Sequence, residues 1–117
     1  MIFRIDPGSG IPLFDQLAAS VRAEMARGAL APGDRLPAAR EVAASLDVNI
    51  HTVLHAYQGL RDEGLVDLRR GRGAVVTESA RLAAELTDAV RSLVVEARRL
   101  GVSSSTLTAL ITQEYRS

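Results

Sequence analysis

Apolar residues recur at helical spacing in three successive segments, and the pattern then switches to strand-like runs around an arginine–glycine turn. This succession limits the possible folds more than any other feature of the chain. Gly8-Ser9-Gly10 separates an extended start from the first segment. There, Phe14, Leu17, Ala18, Val21 and Met25 stripe a helix that Pro12 opens and Gly28 closes. Leu30-Ala31-Pro32-Gly33-Asp34 is turn chemistry, because proline presets φ and glycine tolerates positive φ. A short second helix over 38–46 turns Val42, Ala43 and Leu46 inward. Asp47-Val48 breaks it, and Asn49 caps a third helix whose buried side is Val53, Tyr57 and Leu60, with Gly64 at its end. Leu65-Val66-Asp67-Leu68, alternating from Val66, and Ala74-Val75-Val76 flank Arg70-Gly71-Arg72-Gly73 and predict a β-hairpin. Three helices and a hairpin make a winged helix-turn-helix, in which the third helix enters a major groove N-terminal end first.

Beyond Thr77 the pattern is purely helical. Leu82, Leu86, Val90, Leu93, Ala97 and Leu100 predict one helix that Gly101 ends. Ser103 caps another, with Val102 and Leu107 at hydrophobic-staple spacing and Leu107, Leu110, Ile111 and Tyr115 on its apolar face. The expected fold class is α+β, mostly α, with a winged helix-turn-helix over 1–78 and a two-helix tail over 79–117. The tail stripe can fold back on its own domain or meet a second copy. Leu93, Val94 and Val95 make its apolar side broad, and a short last helix cannot cover it. The balance favours a homodimer through Leu82, Leu86, Val90, Leu93, Val94, Leu100, Leu107, Leu110 and Ile111.

Several function classes fall away on composition. Apolar residues make up 47% of the chain, with only two Phe, two Tyr and no Trp, so the core is aliphatic and disorder is excluded. The absence of cysteine excludes disulfides, thiolate metal sites and cysteine catalysis. His51 and His55 have zinc-like i, i+4 spacing but no third ligand nearby, so no metal is expected. There is no Ser-His-acid set and no carboxylate pair in an evident cleft, and Gly71-x-Gly73 lies in a hairpin, the wrong setting for a nucleotide loop. The chain therefore reads as no enzyme and as needing no cofactor. No apolar run nears the roughly 20 residues that span a bilayer. The start lacks signal-peptide order, which points away from membranes and to the cytoplasm.

Fourteen basic residues, all Arg, balance fourteen acidic ones. A non-specific DNA binder should be visibly basic, so any positive surface here must be local. Asn49, His51, Thr52 and His55 share the side of the third helix opposite its core residues. Arg69, Arg70 and Arg72 sit among hairpin glycines, where guanidinium forks can reach phosphates or minor-groove edges. Arg40, at the start of the second helix, can add a phosphate contact or pair with Glu41 or Asp34. The hairpin arginines can equally be a solvated face. The alternative to an operator binder is a winged-helix module that docks protein without specific DNA binding.

The order of motifs carries a further signal. Pro12-Leu13-Phe14-Asp15-Gln16-Leu17, Gly28-Ala29-Leu30-Ala31-Pro32-Gly33-Asp34-Arg35-Leu36-Pro37 and Arg40-Glu41-Val42-Ala43 resemble the GntR family of transcription regulators. So do Val48-Asn49-Ile50-His51-Thr52-Val53, Glu63-Gly64-Leu65-Val66 and Arg69-Arg70-Gly71-Arg72-Gly73. The resemblance covers about two-thirds of the chain in order and implies DNA contacts at Arg40, Asn49, His51, Thr52, His55, Arg70, Gly71 and Arg72. Ala38 stands where many members have Ser or Thr, and Ile50 and Leu54 stand where many carry Arg. The recognition helix and short helical tail are similar to the YtrA-type branch. That branch implies a dimeric regulator, more readily a repressor, of double-stranded operator DNA. The segment after residue 78 is too small for an ordinary ligand cavity, and the sequence names no effector.

Overall fold

The computed structural model describes residues 3–117. Its elements run α1 (Leu13–Ala26), α2 (Ala39–Leu46), α3 (Ile50–Asp62), β1 (Val66–Arg69), β2 (Gly73–Val76), α4 (Glu78–Ala84), α5 (Thr87–Arg99) and α6 (Ser104–Arg116). By contacts the chain divides into two units, 1–85 and 86–117.

In the first unit α1 packs on α3, and α3 also holds α2 and the hairpin. Leu17, Val21, Val53, Leu60 and Val66 are fully buried at the centre of this aliphatic core. Leu60→Ala is expected to cost about 2–5 kcal/mol, because a deleted buried side chain loses transfer energy and leaves a cavity. Urea unfolding followed by circular dichroism measures the loss; an unchanged midpoint would place Leu60 outside the core.

The N-terminal stretch is clasped by Gln16. Its side chain accepts from the Asp6 amide at 2.6 Å and donates to the Ile11 carbonyl at 2.8 Å. The turn between α2 and α3 hinges on Asp47, whose φ of 55° is left-handed. The Val48 amide then closes on the Ala43 carbonyl at 3.0 Å.

β1 and β2 pair antiparallel with Val66 opposite Val76 and Arg69 opposite Gly73, leaving Arg70, Gly71 and Arg72 as the loop. Gly71 has φ of 80°, a conformation that a side chain would strain. The segment before α2 lies along this hairpin. The Leu36 amide donates to the Ala74 carbonyl and the Val76 amide to the Asp34 carbonyl, both at 2.8 Å. The hairpin is thereby tied to the start of α2 as well as to α3.

Two expectations need correction. The single helix expected through Leu82 to Leu100 is two, α4 and α5, so three helices follow the hairpin where two were expected. Glu85 and Leu86 stay close to helical dihedrals, and the Glu85 amide bonds to Leu82 three residues back. The ladder therefore tightens and ends without a glycine or proline to announce it. The buried Ala80 places α4 in the core of the first unit by contacts. Leu82, expected on the same helix as the tail stripe, belongs to α4 instead. The second correction concerns β1, where only Val66 is buried and Leu68 is 41% exposed. Leu68 shares the face of Val66 and stands opposite the buried Ala74, but it opens onto the groove beside α3.

In the second unit, Ser103 caps α6 by accepting from the Thr106 amide, and the Val102 amide returns to the Ala97 carbonyl at 2.9 Å. Ala97 is buried, and Val94, Val102 and Leu107 are half-buried. Val90 and Leu93 on α5, Leu86 and Leu100 at its two caps, and Leu110, Ile111 and Tyr115 on α6, remain exposed.

Candidate nucleic-acid interface

Side-chain chemistry at the start of α3 follows from its cap. Asn49 Oδ1 accepts from the His51 amide at 2.8 Å, satisfying a donor that the helix leaves unpaired. Val53, Ala56, Tyr57 and Leu60 bury the opposite side of the helix. That anchoring leaves Asn49, His51, Leu54, His55 and Gln58 exposed, with Thr52 half-buried. His55 is exposed yet not free to swing. Its ring stacks on Phe14 of α1, centroids 3.9 Å apart and planes 21° from parallel. One ring face is covered, and the nitrogen-bearing edge is aimed by packing.

Tyr57 joins the helices of the helix-turn-helix from below. Its hydroxyl donates to the Pro37 carbonyl at 2.6 Å. Burial, reinforced by the Glu41 carboxylate, pushes the phenol well above its usual range. Tyr57→Phe is expected to destabilise the fold by about 1–2 kcal/mol, because the Pro37 carbonyl loses its donor. Tyr57 titrates higher folded than unfolded, so its stabilising effect holds below pH ~10 and fades above it. The variant should therefore also flatten the alkaline fall in stability, which denaturant melts at pH 8 and pH 11 will show.

Charge distribution resolves the neutral total. Glu63 takes a two-pronged contact from Arg22 at 3.0 and 2.6 Å, Glu24 pairs with Arg27, and Asp62 with Arg61. Arg69 pairs loosely with Asp67 at 3.4 Å. Among the described residues, Arg35, Arg40, Arg70 and Arg72 take part in no ion pair, and all four are exposed. Glu24, Asp62 and Glu63 are thus occupied while Asp15 is not, and the hairpin tip and the start of α2 keep free guanidiniums, with Glu41 also outside any ion pair among the described residues.

Between α2, α3 and the hairpin runs an open groove of about 750 Å³. Leu36, Leu54, Tyr57, Leu68 and Ala74 supply its apolar lining. Arg35, Arg69, Arg70 and Arg72 border it, opposed by the single carboxylate of Glu41. The groove brings Arg70 and Arg72 together with Leu54 and Gln58 of α3, whereas Asn49, His51, Thr52 and His55 are not on its lining. Arg40 is not on that lining, and it extends the cationic surface along α2. Sequence reasoning did not single out Leu54 or Leu68 as site residues. The signal for Leu54 was present as an apolar residue on the polar side of the helix.

The pattern of known relatives decides the family. Residues 13–76 match the family model described as bacterial regulatory proteins, gntR family. The chain belongs to the GntR family. It is 31% identical over 107 residues to the HTH-type transcriptional repressor YtrA of Bacillus subtilis, covering 86% of this chain and 82% of that one. It is 37% identical over 102 residues to the HTH-type transcriptional regulator Rv1152 of Mycobacterium tuberculosis, covering 87% and 84%. Among solved structures it superposes on YtrA from Sulfolobus acidocaldarius, a GntR-family transcription factor, with a TM-score of 0.64 and 34% identity over 85% of this chain and 99% of that one. These relatives support a YtrA-type regulator. The chain is a helix-turn-helix transcription regulator, and its relatives are regulators rather than enzymes. No helix among the described residues is long and apolar enough to cross a membrane.

Proposed function

We propose that this regulator represses transcription by binding, as a homodimer, a pseudo-palindromic operator. The exposed polar side chains at the start of α3, in the same unit as the unpaired guanidiniums of the hairpin and of α2, carry this reading. Asn49, His51, Thr52 and His55 approach base edges or their flanking phosphates in the major groove. Arg70 and Arg72 grip the neighbouring sugar-phosphate chain, Gly71 lets the backbone come close, and Arg40 holds a phosphate at the start of α2. Repression needs only occlusion of a promoter, and the name of the Bacillus relative supports it.

Dimerisation rests on the second unit. Val90, Leu93 and Ala97 of α5, with its caps Leu86 and Leu100, recur at spacings of three and four on one face, while Asp88, Arg91, Arg98 and Arg99 take the opposite face. Val94 borders that stripe, and Leu107, Leu110 and Ile111 add to it from α6. A second copy covers such a face by two-fold symmetry, setting two recognition helices about one or more helical turns of DNA apart.

The direct test is a mobility shift on the duplex upstream of the protein's own coding sequence. The expected affinity is at least a thousandfold above that for random duplex at matched salt. Equal affinity for the two would refute operator recognition.

A further inference from the structure

We propose that the groove between α2, α3 and the hairpin binds a small amphipathic organic anion: an apolar ring or short chain bearing one carboxylate or sulfonate. The proposal rests on the operator reading in one respect, that occupancy of the groove releases DNA.

The groove's volume, about 750 Å³, falls within the range of small-molecule sites. Its lining is unusual for a surface that meets only phosphates. Leu54, 38% exposed, and Leu68, 41% exposed, both open into it over the buried ring of Tyr57. Leu68 shares the face of the buried Val66 and stands opposite the buried Ala74, yet it stays open to the groove. A phosphodiester chain can satisfy guanidiniums at the rim, but it offers two leucines little in return. An apolar body with a single anionic head matches both parts. Charge selects the sign of that head, because four arginines border the groove against Glu41 alone, and only Arg69 among them is paired within the chain. Arg70 and Arg72 serve the anion and the DNA backbone alike, so the two ligands compete, and each weakens the other by the same factor.

The test uses 8-anilinonaphthalene-1-sulfonate as the probe, on the full chain. With no Trp present, its fluorescence is read against a weak tyrosine background. The expected result is saturable enhancement that survives Leu93→Asp in the tail and falls at least tenfold in affinity in Leu68→Glu. Both leucines are partly exposed, so circular dichroism melts should match the parent; Leu54→Glu provides a second groove variant. The neutral analogue N-phenyl-1-naphthylamine should bind at least tenfold more weakly, and a promoter duplex should displace the sulfonate. The site is overturned if saturable fluorescence is absent, is undiminished in both groove variants, or shows no preference for the sulfonate. If the sulfonate binds as expected while the promoter duplex is bound no better than random DNA, the site stands and the operator reading fails.

Discussion

Replacing Arg70 and Arg72 together by alanine is expected to weaken operator binding on the order of a thousandfold near 0.1 M salt, and to flatten its salt dependence. The reasoning is electrostatic. Both guanidiniums are exposed at the hairpin tip and take part in no ion pair among the described residues, so they are available to phosphate. A homodimer presents the pair twice. Each phosphate neutralised releases about 0.9 of a condensed counterion, so four lost contacts should lower the slope of log affinity against log salt by about 3.6. Changing both residues to lysine instead should keep most of the slope while losing the forked geometry. Fluorescence anisotropy with an operator duplex between 0.05 and 0.3 M salt measures both quantities. A loss below threefold with an unchanged slope would mean that the hairpin does not grip the backbone.

How far such a site could be read in advance depended on whether its determinants are local. The cap at Asn49, the stops at Gly28 and Gly64 and the glycine-rich hairpin loop act within a few residues of themselves, so the first three helices and the hairpin were legible. The break between α4 and α5 was not. Residues 78–100 contain no glycine or proline, are rich in alanine and leucine, and keep one apolar period straight through Glu85 and Leu86. Ala80 packs α4 into the core against α1, and no local rule in the sequence marks where that helix ends. The groove was hidden for a related reason. Its walls come from the segment before α2, the outer face of α3 and β1, and only their packing places Leu54 beside Leu68. The same holds for Phe14 and His55, whose stacking depends on how α1 crosses α3. Period-two alternation correctly gave the direction of Leu68, but it could not tell that an open groove lies over that position.

Leu93→Asp is expected to convert a dimer to a monomer and to weaken operator binding between a hundredfold and ten-thousandfold. Leu93 stands 42% exposed between Val90 and Ala97 on the apolar face of α5. A carboxylate there would have to shed its water at the centre of an apolar contact. In the isolated chain it stays hydrated, so the monomer should fold as before. Once the subunits separate, each half-site is bound alone. The second recognition helix then loses the high effective concentration that tethering supplies, which sets the size of the loss. Sedimentation velocity reads the oligomeric state, and anisotropy on full and half operators reads the linkage. Parent and variant should bind a half operator about equally, and only the parent should gain on the full one. If Leu93→Asp stays dimeric, or the parent chain sediments as a monomer at the concentration where it binds DNA, the α5 and α6 face is not what joins two copies.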